Sequence, residues 1–168
     1  MGKKSNMMNF RDLEQKIINK DQLKSKLGRE ARKGKKLVLT NGCFDILHIG
    51  HIRYLEEAKN FGDILLVAVN SDSSVKRLKG NNRPVVSEIE RARIIAALRV
   101  VDNVVVFEEN DVCSIIRDVQ PDIHCKGGDY TEEDVPERDE VIKNGGVVKI
   151  VGGKKLRSSS DLIKKISQ

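Results

Sequence analysis

Residues 36–70 read KLVLTNGCFDILHIGHIRYLEEAKNFGDILLVAVN, and their pattern decides the fold. KLVLT (36–40) is a short apolar run of the kind a fully buried strand needs, and DILLVAVN (63–70) is a second. Between them, HIRYLEEAKNF (51–61) carries apolar residues at helical spacing, with Gly62 as its stop. Strand, helix and strand in that order build a parallel sheet, because only a crossover returns the chain to the same edge.

The alternation continues outward. SEIERARIIAALR (87–99) is a helix opened by a capping box from Ser87 to Glu90, NVVVF (103–107) a third strand, and DVCSIIRDV (111–119) a helix stopped before Pro121. DIHCK (122–126) and VVKIV (147–151) are the fourth and fifth strands, and DLIKKI (161–166) is a final helix capped by Ser158, Ser159 or Ser160. Upstream, FRDLEQKIINK (10–20) and DQLKSKLGREARK (21–33) read as two amphipathic helices with Gly34 as the stop. The expected architecture is α/β: a Rossmann-like doubly wound sheet of about five parallel strands with helices on both faces, preceded by a short helical N-terminal segment.

A chain of 168 residues suits one domain, and 39% apolar with 4% aromatic residues means a core of Ile, Leu, Val and Ala. The formal charge is +6, but residues 1–36 hold twelve Lys/Arg against four Asp/Glu, so the remainder is slightly acidic. GREARKGKK (28–36) therefore reads as a solvated basic face of the lead-in, not a nucleic-acid surface. Cys43, Cys113 and Cys125 match neither a zinc site nor a disulfide framework, which points to reduced thiols and a cytoplasmic setting. No apolar run reaches the ~18 residues of a membrane span, MGKKSNMMNF lacks a signal-peptide core, and Asn6 breaks the myristoylation pattern begun by Gly2.

In parallel sheets ligands bind beyond the carboxyl ends of the strands, where the unusual residues of this sequence fall. TNGCFD (40–45) follows the first strand, NSDSSVKRLKG (70–80) the second, KGGDY (126–130) the fourth and GGKKLRSSS (152–160) the fifth. Two of the three histidines, His48 and His51, flank Gly50 at a helix start. They share one side of its first turn, beside unpaired N–H groups that favour an anion. Gly42 permits a close turn, and Gly50 lets the backbone approach a ligand. The arrangement suits nucleotidyl transfer, in which negative charge grows on the equatorial oxygens of an α-phosphate. His124, inside DIHCK, reads as a structural histidine, and Cys43 as a packing residue whose N–H matters.

HIGH at 48–51 after NGCFD resembles the HxGH signature of the nucleotidyltransferase superfamily. The ordered set TNGCFDILHIGH, VAVNSDSSVKRLKG, RPV, ERA, VDNVVVF, PDI and KGGDY is similar to the adenylyltransferase domain of ADP-heptose synthesis, over about Lys35 to Ile166. The second signature of the class I aminoacyl-tRNA synthetases is missing, and the chain is too short for a synthetase body. The resemblance implies a basic helical lead-in at 1–34 and a nucleotidyltransferase domain at 35–168 that transfers AMP from ATP to a heptose 1-phosphate, giving ADP-heptose and pyrophosphate, for lipopolysaccharide synthesis.

By position, it implies that His48 and His51 stabilise the α-phosphate while Lys79, in the loop after the second strand, neutralises phosphates. It also implies that Cys43, Phe44 and Gly50 hold the triphosphate through their backbone, that Asp45, Gly127 and Asp129 help place the nucleotide, and that Arg91 binds it. For Arg91 the residues leave open a salt bridge on the helix surface. Ser158, Ser159 and Ser160 stand where the family commonly has Ser-Thr-Thr, as candidates for the β- and γ-phosphates, and Lys154 and Lys155 where related enzymes carry an arginine. Mg²⁺ is expected with ATP, without a dedicated protein metal site, and a separate sugar kinase is expected to supply the acceptor. No nucleic acid or membrane partner is implied, and related enzymes form homo-oligomers. The rivals are a glycerol- or ethanolamine-phosphate cytidylyltransferase, an FAD synthase, or a nucleic-acid-binding module using the basic N-terminal region.

Overall fold

A computed structural model describes residues 10–153, with side chains from Leu13 onward. The five expected strands are β1 (Leu37–Gly42), β2 (Ile64–Asn70), β3 (Asn103–Phe107), β4 (Ile123–Gly127) and β5 (Val147–Val151). All pair in parallel, in the order β3-β2-β1-β4-β5. The order reverses at β1, so the crevice between β1 and β4 is the topological switch point where such sheets bind ligands.

Side chains alternate along each strand, and the two sheet faces bury separate cores. Leu37 and Leu39 of β1 and Leu66 and Ala68 of β2 face one cluster, with Ile115 and Ile116 of α6 (Cys113–Val119) and Val141 of α7 (Arg138–Lys143). Val38, Leu65, Val67 and Val69 face the other, with Leu55 of α3 (Ile49–Lys59) and Ile95 of α5 (Glu88–Ala96). Aspartates at the strand starts accept the first N–H groups of their neighbours: Asp63 from Lys36, Asp122 from Leu37 and Asp102 from Leu65, at 2.7–2.8 Å.

The N-terminal region differs from the two helices expected. Helix α1 (Phe10–Lys16) stops early, and Ile17 then pairs in parallel with Val104 while Ile18 N–H donates to the Val104 carbonyl at 2.8 Å. This covers the outer edge of β3, whose backbone groups would otherwise lie open. After one 3-10 turn at Lys20–Gln22, α2 is only Leu23–Leu27 and residues 29–34 form turns. Leu23 and Leu27 join the core. Arg32 is also buried: its guanidinium donates to the Val119 and Gln120 carbonyls at 2.7 and 3.1 Å and pairs with Asp122. GREARKGKK is thus not wholly a solvated face, since Arg32 satisfies carbonyls at the end of α6 that a shorter side chain would leave unpaired.

Two further helices were not expected. Helix α4 (Asp72–Lys79) occupies the stretch read as a loop after the second strand, and α7 lies in a segment given no helix at all. The final helix and its serine cap lie outside the described residues.

Candidate active site

The turn after β1 sets the geometry. Phe44 adopts φ 47°, an uncommon conformation for a side chain with a Cβ, and its buried ring lies 5.3 Å from the His51 ring. Asp45 is held inward: its carboxylate accepts from Arg83 Nε at 2.5 Å and from the N–H groups of Val85 and Val86 at 2.8 and 3.0 Å. Burial works against its charge, but those backbone donors and Arg83 hold the carboxyl below the usual aspartate value. Behind the same turn Arg91 is fully buried. Its guanidinium donates to the carbonyls of Cys43, Asn70 and Val86 at 2.5, 2.7 and 2.9 Å and pairs with Asp72 at 2.8 Å.

His48 is the N-cap of α3, with extended backbone, and its Nδ1 accepts the Gly50 N–H at 3.1 Å. A ring nitrogen that accepts carries no proton, so in the neutral imidazole the proton sits on Nε2 and makes that atom a donor. The ring stacks on His51, centroids 4.0 Å apart and planes at 27°. A Cβ on Gly50 would lie 2.9 Å from His48 ring atoms, so this glycine makes room for the histidine as well as for any ligand. Burial first, then the nearby His48 and Lys79, lower the His51 pKa to about 4. Its resting form near neutrality is therefore the neutral imidazole.

Both histidines line a cavity of about 540 Å³ at the carboxyl ends of the strands. Cys43, Phe44, Gly50, Lys79, Gly127 and Asp129 line it too. Lys79 is the last residue of α4, not part of a loop, and belongs to no ion pair among the described residues. Burial pushes the Cys43 thiol up, in keeping with a packing residue. His124 is fully buried in β4 with its pKa lowered by burial, as a structural histidine would be.

Two expected nucleotide contacts, Asp45 and Arg91, are not in the cavity wall. Both carboxylate oxygens of Asp45 are spent on the 83–87 loop and every arm of the Arg91 guanidinium on Cys43, Asn70, Asp72 and Val86, so these residues shape the site from behind. Arg91 therefore lies outside the cavity wall and is not a salt bridge on the helix surface. Ser158, Ser159 and Ser160, with Lys154 and Lys155, lie outside the described residues. The sequence reading did not single out Asn41, Asn70, Lys126, Tyr130 or Glu137, all of which line the cavity. Lys126 and Tyr130 belong to the KGGDY stretch flagged for its glycines, whereas nothing local marked Glu137.

A parallel sheet with ligand-facing loops at its switch point, and a stacked histidine pair at a helix start inside the cavity, define a nucleotidyltransferase of the α/β class. The family assignment agrees: residues 39–165 match the cytidylyltransferase-like profile, and the chain belongs to that family. It is 48% identical to the bifunctional protein HldE of Citrifermentans bemidjiense over 93% of its own length and 32% of the relative, and 47% identical to HldE of Geobacter metallireducens over 92% and 32%. The chain thus spans about a third of the curated relatives it matches. Among solved structures, the lipopolysaccharide core biosynthesis protein of Thermoplasma volcanium aligns with TM-score 0.60 at 39% identity, over 70% of this chain and 95% of that one. The pantoate-β-alanine ligase of Francisella tularensis, at TM-score 0.51 and 14% identity over 90% and 76%, shares the fold alone.

Proposed function

We propose that the chain transfers AMP from ATP to a heptose 1-phosphate, giving ADP-heptose and pyrophosphate. The observation that carries this reading is the stacked His48–His51 pair at the start of α3, in a cavity that Lys79 also lines. The similarity to HldE proteins favours the heptose acceptor.

An oxygen of the acceptor phosphate attacks Pα, the bond from Pα to the oxygen bridging to Pβ breaks, and its electron pair leaves with pyrophosphate. Charge accumulates on the equatorial oxygens of Pα, where the two imidazoles and the N-terminal dipole of α3 act as preorganised donors. Lys79 neutralises the departing phosphates. No general base is needed, because a sugar phosphate is already mostly dianionic above its second pKa of ~6. The backbone of Cys43, Phe44 and Gly50 cradles the triphosphate, and Gly127 and Asp129 line the nucleoside side. Asp45 and Arg91 hold the turn.

Among the described residues no cluster of three His, Cys, Asp or Glu side chains could hold a metal. The divalent cation that such reactions use, here Mg²⁺, enters with ATP as part of the substrate. No described helix is long and apolar enough to cross a membrane. We assign the enzyme to the cytoplasm, with a separate sugar kinase supplying its acceptor and the domain division at residue 35. No nucleic-acid partner is assigned.

Pyrophosphate release with Mg²⁺ tests the reading, comparing ATP and CTP, each with heptose 1-phosphate, glycerol 3-phosphate or FMN. Release with ATP and heptose 1-phosphate alone is expected. Release with CTP, or with another acceptor, overturns the substrate assignment while keeping nucleotidyl transfer.

A further inference from the structure

We propose that Lys126 is a binding residue for the uncharged nucleoside end of the nucleotide, and that Glu137 is the positioning residue that cancels its charge and aims it. This assignment rests on the nucleotidyl-transfer reading above. Lys126 Nζ lies 2.9 Å from Asn41 Oδ1, and 3.3 and 3.2 Å from the two carboxylate oxygens of Glu137. The side chains are 9% and 4% exposed, and both line the cavity. An ammonium has three N–H donors, of which Asn41 and Glu137 take two.

The two cavity lysines are electrostatically unlike. Lys79 lines the cavity with no ion-pair partner among the described residues, which is what a phosphate requires. Lys126 is already neutralised by a carboxylate at its side, so a phosphate placed there would gain from one and be repelled by the other. A hydroxyl or ring nitrogen suffers no such repulsion and can accept the remaining N–H. The surroundings suit a flat, uncharged group. Tyr130 is 40% exposed, with its ring centroid 5.4 Å from Nζ, and the positions a Cβ would take on Gly127 and Gly153 have no atom within 4 Å. Glu137 itself immediately precedes α7, so it also ties the 128–137 segment to β4 and, through Asn41, to the end of β1.

The test compares binding of ATP and of inorganic tripolyphosphate, each with Mg²⁺, to the whole chain by titration calorimetry. Lys126→Met should weaken ATP about tenfold while tripolyphosphate stays within about twofold, whereas Lys79→Met should weaken both. Glu137→Gln should weaken ATP, with Glu137→Asp in between. The double variant Lys126→Met/Glu137→Leu, which leaves no buried charge and covers the case in which Glu137→Gln does not fold, should be no worse than Lys126→Met alone. Equal losses for both probes in Lys126→Met, unchanged ATP affinity, or additive losses in the double variant would overturn the assignment. Neither probe involves the acceptor, so wild-type protein that binds ATP yet is inactive with heptose 1-phosphate removes only the acceptor reading. Wild-type protein that binds tripolyphosphate as tightly as ATP removes the nucleoside role of Lys126.

Discussion

His51 is buried enough to stay neutral and close enough to His48 to stack on it, so on the proposed mechanism it would offer a donor without a fixed charge that would hold product. On the proposed mechanism, replacing either histidine by alanine should cut turnover at least ~100-fold while the fold stays intact, because each would supply donors used mainly in the transition state. Near-normal rates in His48→Ala or His51→Ala would remove that role. Arg91 is the opposite kind of residue. Arg91→Met strands the carbonyls of Cys43, Asn70 and Val86, and should cost at least about 3 kcal/mol in urea unfolding, because each buried acceptor left unpaired costs on the order of 1 kcal/mol or more. The histidine pair was legible because strand, glycine turn and helix start surround it within twelve residues. The placement of Asp45 and Arg91 behind the turn was not legible, because the sequence marks them as charged residues near a motif without showing which way they point. Their direction is decided by the 83–87 loop, about forty residues away from Asp45 in the chain.

At the scale of elements, the long periodic segments declared themselves, and the capping box of α5 formed as read, with Ser87 and Glu90 bonded reciprocally. The short helices did not. Helix α4 has its stop and start signals, with Ser71 accepting from Ser74 N–H, Asp72 in the first turn, three basic residues in the last and Gly80 at φ 96°. It buries only Ser74 and Val75, too little apolar periodicity to outweigh a loop-like composition. Helix α7 buries only Val141. The consequence matters for chemistry, because a lysine at the end of a helix is aimed by that helix, whereas a loop lysine searches. The ends of β4 and β5 supply a paired test. A Cβ on Gly128 would fall 2.4 Å from the Gly153 carbonyl oxygen, so Gly128→Ala should push the two strand ends apart and lower the melting temperature. A Cβ on Gly127 meets nothing within 4 Å, so Gly127→Ala should melt like wild type but bind ATP more weakly if the nucleoside occupies that space. The reverse pattern, or two silent variants, would show that this gap is not a binding slot.

For the whole molecule, the parallel sheet and its layering were legible, while the order β3-β2-β1-β4-β5 was not, because long-range pairing leaves no local trace. Nor could the sequence show that buried ionisable groups gather under the cavity floor, where His124 and Glu137 lie 3.8 Å apart beside Lys126. That gathering sets the response to acid. His51 has a folded pKa lowered to about 4 from 6.5, and burial lowers that of His124 as well. Between the unfolded and folded values the unfolded chain binds more protons than the native one, so stability rises with pH through that window. The contribution is present above pH 6.5 and is lost as pH falls toward 4. Glu137 follows lower down. Burial works against its charge, yet His124 and the Lys126 ammonium hold its pKa at about 2 against 4.5 unfolded. Its contribution is present above 4.5 and disappears as pH falls toward 2. Melting temperature should therefore decline in two overlapping stages on acidification, the first beginning near pH 6.5. His124→Phe should shrink the first stage to the part that His51 contributes, because a phenyl ring has no proton to gain, and Glu137→Gln should flatten the second. A melting temperature that stays level from pH 7 to pH 5 in the wild type would mean that the buried imidazoles are not the groups that titrate.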